Sequence, residues 1–203
     1  MGSSDVRQEF KKSVPGSYND QVYIDTFHKT GKFPKIHNDI ANIIRKVAPM
    51  PEPCIDLGSC TGLLAIQSIK LGRSLCIGIE GNKSDFKRAI SHPKVKYENF
   101  YISPDTLGQL SVILKKHHPT LVIARRVIPE ISLNNVNIIH QLSTLLAENG
   151  VKYIVLEGRQ QTRNPKAILY NAIEEAKCFM FEFQPIVKYK NCIALENKRL
   201  NIS

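Results

Sequence analysis

Between residues 54 and 62 the chain reads CIDLGSCTG: an apolar run into Asp56, glycines at 58 and 62, then the helix-forming LLAIQSIKL. Further on, a second acid, Glu80, closes another apolar run in LCIGIEGN. A carboxylate at the end of a second strand can accept hydrogen bonds from both hydroxyls of a ribose. Glycine at 58 permits a positive φ in a strand-to-helix turn, and glycine at 62 lets the following helix approach a ligand or a strand closely. The spacing is not GxGxxG, and an acid before the turn repels phosphate, so a nicotinamide-dependent oxidoreductase is disfavoured. The pair suits a nucleoside whose ribose meets Glu80 and whose other end, near Asp56, carries positive charge.

These residues need a scaffold that brings strand ends together. From residue 51 onward, β-rich runs at 53–58, 74–80, 95–100, 120–126 and 151–158 alternate with helix-like LLAIQSIKLG, SDFKRAIS, TLGQLSVILKKH, NVNIIHQLSTLLAENG and NPKAILYNAIEEAKC. That alternation predicts a parallel sheet covered on both faces. Ser84 and Asn164 are candidate helix caps, Pro165 sits at a first-turn position, and Gly150 is a stop. FMFEFQPIVKYK and NCIALENK are separated by too little chain for a helix and read as a terminal hairpin, making seven strands with one antiparallel member. Residues 1–50, with Pro and Gly breaks and one amphipathic stretch from His37 to Val47, form an N-terminal helical extension beside a domain of residues 51–203.

At 203 residues and 42% hydrophobic composition, the chain can bury a sizeable core without disulfides. Its five cysteines are odd in number and lack CxxC spacing, which favours reduced core residues over zinc or disulfide roles. No apolar run approaches the length of a membrane span and the N-terminus has no apolar signal core, so a cytoplasmic location is expected. The net charge of +10 favours a polyanionic partner such as nucleic acid.

Together, CIDLGSCTG, the acid of GIEGN, the five alternating units and the final hairpin resemble the class I S-adenosylmethionine-dependent methyltransferases over residues 51 to about 197. The resemblance implies a Rossmann-like, doubly wound, seven-stranded and mostly parallel sheet with a C-terminal antiparallel hairpin, and S-adenosyl-L-methionine as cofactor. Asp56, Gly58, Ser59, Cys60 and Gly62 would then shape the methionine end and Glu80 would hold the ribose, with Asn99 and Phe100 near the adenine. The family's first turn carries a glycine where this chain has Cys60.

The acceptor is less legible. The fourth strand ends in ARRVIPE, without the Asp/Asn-Pro-Pro-aromatic motif of amino methylation, the Pro-Cys nucleophile of pyrimidine-carbon methylation, or the fourth-strand acid of ribose methylation. Arg125 and Arg126 after the fourth strand and Arg159 and Arg163 after the fifth put guanidinium groups at one edge, where they suit phosphate or carboxylate. Glu130 is a candidate base or arginine partner, as is Glu157; His28 and His37 are candidate bases from the extension. Nucleic acid is the first expected acceptor and a small anionic metabolite the second. A noncatalytic binding protein on the same sheet is the rival of another class. His117 and His118 precede the fourth strand and are expected on the surface at the opposite edge.

Overall fold

The structure, a computed structural model, describes residues 20–48, 51–132, 137–159 and 171–201. Two helices come first, α1 (Asp20–Thr30) and α2 (Asn38–Val47). Then follow β1 (Cys54–Leu57), α3 (Leu63–Lys70), β2 (Cys76–Ile79), α4 (Lys83–Lys87), β3 (Val95–Glu98), α5 (Leu107–His117) and β4 (Leu121–Arg125). The chain continues through α6 (Ile128–Ser132), α7 (Asn137–Glu148), β5 (Tyr153–Glu157), α8 (Ala172–Lys177), β6 (Phe183–Tyr189) and β7 (Cys192–Asn197). The seven strands form one sheet in the order β3-β2-β1-β4-β5-β7-β6. β7 runs antiparallel to both β5 and β6, and the other pairings are parallel, as the sequence predicted.

Alternation along the strands sorts side chains to two cores. Ile55 and Leu57, Ile77 and Ile79, Val122 and Ala124, and Ile154 and Leu156 point to the face covered by α5, α7 and α8. Cys54, Cys76, Leu121, Ile123, Val155 and Ala194 point to the other, where Ile40, Ile43, Ile44 and Val47 of α2 and Leu64, Ala65 and Ile66 of α3 close the layer. Because the period is two, Asp56, Arg125 and Glu157 share the α2/α3 face. The amphipathic stretch of the extension is thus a layer of the sheet's cover. In α1, Phe27 packs on Phe33 at 5.0 Å, with the Lys70 ammonium over both rings.

Several local details differ from expectation. Ser84 does not cap: the extended backbone of Asn82 lets its side chain accept the N–H groups of Ser84 and Asp85, so Ser84 lies inside α4. That helix also stops early, because the Ile90 N–H turns away to the Thr61 carbonyl at 3.0 Å. Asn164 and Pro165 lie outside the described residues, and Asn171 caps α8. The start of the FMFEF run is not strand. After α8 the N–H groups of Cys178, Phe179, Met180 and Glu182 each bond three residues back, so β6 begins only at Phe183. The five cysteines are free, four of them buried. No described helix is long and apolar enough to cross a membrane.

Candidate functional site

The carboxyl ends of β1, β2, β4 and β5 lie side by side, and the residues singled out by the sequence gather there in two groups. The first surrounds Glu80. Its carboxylate is 2% exposed and accepts the Cys60 N–H at 2.8 Å and the Asn82 N–H at 2.6 Å. One acid therefore ties the loop after β1 to the loop after β2. Cys60 adopts a φ of +52°, which a glycine reaches without the Cβ penalty, and its bond to Glu80 offsets that strain.

Glycine is required at 58 and 62 by close packing as well as by φ, which is +68° and +85°. A Cβ on Gly58 would stand 2.6 Å from Val127 Cγ2, and one on Gly62 would collide with the Tyr97 hydroxyl. It is a strand residue, Tyr97 of β3, that comes close at Gly62, and its hydroxyl donates to the Ile90 carbonyl at 2.9 Å. Ser59 is buried, and its hydroxyl has no hydrogen-bond partner among the described residues.

Asp56 lies within the sheet at 1% exposure, and its Oδ2 has no hydrogen-bond partner. Burial, and then the Glu80 carboxylate, push its pKa up to about 8, against the Arg125 guanidinium and the Ala65 N–H. The folded chain therefore holds a proton that the unfolded chain releases near pH 3.8. This stabilising contribution is complete below that value and is lost as pH rises through about 8. Asp56→Asn should flatten the fall in melting temperature between pH 5 and 8; an unchanged profile would show that Asp56 ionises normally.

On the adenine side, the Asn99 side chain donates to the Glu80 carbonyl at 2.6 Å, bracing the β2 end. Phe100 packs against the core of the α5/α7/α8 face. Tyr101, which the sequence did not single out, lays its ring against Gly81 beside Glu80.

The second group joins β4 to β5. Arg125 and Glu157 are register partners. Glu157, 4% exposed, accepts Arg125 Nε at 3.1 Å and Arg126 Nε at 2.9 Å. The Arg126 N–H also bonds the Glu157 carbonyl at 2.7 Å, and Arg126 holds a φ of +57°. Glu157 is thus an arginine partner. Arg159 Nη2 lies 4.0 Å from Glu130 Oε1 on α6. Arg163 lies outside the described residues.

The sheet order, with its reversed seventh strand, and the acid-bearing turn at the ends of β1 and β2 decide the architecture. The fold is that of the class I S-adenosylmethionine-dependent methyltransferases. A SAM-dependent methyltransferase from Aquifex aeolicus superposes with a TM-score of 0.56 at 12% identity, over 83% of this chain and 95% of that one. WbdD, described as a bifunctional kinase-methyltransferase, reaches 0.58 at 13% identity over 80% of this chain. This chain spans only 39% of WbdD. A putative methyltransferase from an antibiotic biosynthesis pathway of Anabaena variabilis ATCC 29413 gives 0.51 at 17%, over 75% and 64% of the two chains. No protein-family model matches the sequence, and no curated protein is similar to it.

On this methyltransferase fold the histidines fall apart. His28 is exposed on α1. His37, just before α2, is 3% exposed, and its pKa is pushed down to about 3 by burial and then by Arg125, with a hydrogen bond to Gln67 opposing and Arg126 adding to the fall. So weak a base has little pull on a proton at neutral pH, which leaves the ring a neutral hydrogen-bonding group beside Arg125. His117 and His118 end α5, at the opposite edge. Val127 and Tyr101 were missed because side chains that reach over a glycine from another strand leave no local pattern.

Proposed function

We propose that the chain is an S-adenosylmethionine-dependent methyltransferase. The observation that carries this reading is the Glu80 carboxylate, buried at the end of β2 and pinned by N–H groups from both neighbouring loops. A carboxylate so pre-organised suits a ribose diol. Asp56, with an unpartnered Oδ2 one strand away, suits the cationic methionine end. Bound there, the cofactor supplies a methyl group activated by a sulfonium. The chain's part is to align the acceptor for in-line displacement and to keep water out. A cation beside Asp56 lowers the affinity of its carboxyl for a proton, so binding near pH 7 should release protons.

Calorimetry with S-adenosylmethionine in two buffers of different ionisation enthalpy tests both points. Saturable binding with proton release is expected; no binding would overturn the reading. For the acceptor we propose nucleic acid, supported by the charge of +10. Labelled methyl donor incubated with fractionated extract should label RNA or DNA, with polynucleotide binding that weakens steeply as salt rises. Label in an anionic metabolite would replace that acceptor, and cofactor binding without transfer to any fraction would favour a noncatalytic protein.

A further inference from the structure

One acid at this edge has no place in the scheme so far. Glu175, on the second turn of α8, is 0% exposed, and neither carboxyl oxygen has a hydrogen-bond partner. Gly158 brings β5 so close to the start of α8 that a Cβ there would collide with Ala172 and Asn171, which seals the acid beneath the strand end. A wholly buried carboxyl without partners is costly when charged, and a glutamine or an apolar residue would fill the place more cheaply.

The charged groups facing it are few. Arg159, from the loop after β5, is its nearby cation, and Glu157 at the end of β5 opposes its ionisation. Its own helix contributes Glu174 and Cys178, whose thiol both acids push up. Glu157 is already engaged by Arg125 and Arg126, and Cys192 of β7 lies near it. Arg159 in turn reaches Glu130 of α6 only at 4.0 Å, a loose ion pair. One guanidinium therefore stands between two carboxyls, one partly exposed on α6 and one sealed under α8.

We propose that Glu175 is a positioning residue for this edge, its protonation deciding whether Arg159 pairs with Glu130 or with Glu175. Protonated, Glu175 leaves Arg159 on Glu130 and no ion is buried alone. Ionised, it draws the guanidinium inward and withdraws it from Glu130, because a buried carboxylate gains more from a cation than a half-exposed one does. Burial pushes the Glu175 pKa up to about 8, so the exchange falls just above neutral pH. That this edge receives the acceptor rests on the proposed methyltransferase function; the exchange itself does not.

The test is NMR of the full chain, following the Nε–H resonance of Arg159 and the Glu175 carboxyl carbon from pH 6 to 9.5. Both should move together with one midpoint near 8, and the arginine movement should vanish in Glu175→Gln, which keeps the shape of the neutral acid. Glu130→Gln should keep the movement but shift the starting position of the Arg159 signal. An Arg159 signal that stays constant with pH, or that moves equally in Glu175→Gln, would overturn the exchange. Cofactor binding by the same sample, measured separately, would leave the proposed function standing if the exchange fails.

Discussion

Glu80→Ala is expected to weaken S-adenosylmethionine binding by about 1 to 3 kcal/mol, roughly 5- to 150-fold in Kd, through loss of charge-assisted hydrogen bonds. The same change removes the acceptor of the Cys60 and Asn82 N–H groups, so two loop amides lose their shared partner. A second signature therefore accompanies the first: a melting temperature lower by several degrees, from about 1 to 3 kcal/mol for each amide left dry. Glu80→Gln keeps one acceptor oxygen but loses the charge and should fall between wild type and alanine in both measurements. Calorimetry and thermal unfolding on the three proteins check this. Unchanged affinity in Glu80→Ala would remove Glu80 from the cofactor site, whatever the stability shows.

Gly62→Ala should destabilise the chain by about 3 kcal/mol or more. Two penalties add at this position. A left-handed backbone, here φ +85°, costs a residue with a Cβ about 1 to 2 kcal/mol. The methyl would also collide with the Tyr97 hydroxyl, whose bond to the Ile90 carbonyl must then break or shift. Tyr97→Phe in the same chain should recover part of the loss by clearing the contact, leaving the backbone penalty. Chemical denaturation of the single and double variants measures both parts. A single variant as stable as wild type would mean that the turn relaxes freely and that glycine is not structurally required there.

The alternating runs from residue 51 onward, with the period-two burial of Ile55, Leu57, Ile77 and Ile79, state the sheet almost completely, because a strand's pattern is local and each face demands its own apolar set. The terminal hairpin is equally legible from the shortness of the chain between its strands. The acid-bearing turn and Glu80 are legible too, since both lie at strand ends, where wound sheets expose side chains. Helix ends are less so: Ser84 is a good cap by type, but Asn82, two residues earlier, has the extended backbone that capping needs. Nothing local in IPEIS marks α6, where Pro129 is tolerated in the first turn because its missing N–H has no partner to lose.

By its own pattern, then, the sequence determined a seven-stranded wound sheet with one reversed strand, and two carboxylates at neighbouring strand ends. Only the tertiary structure decided what those charges face. Arginines that read as an open cationic edge are drawn together by Glu157, His37 is buried into neutrality beside Arg125, and Glu175 is sealed beneath Gly158. The reason is one of range. Strand and helix periodicity is set by neighbours a few residues away, whereas the partner and ionisation of a charge depend on side chains delivered by distant segments and on the water they displace.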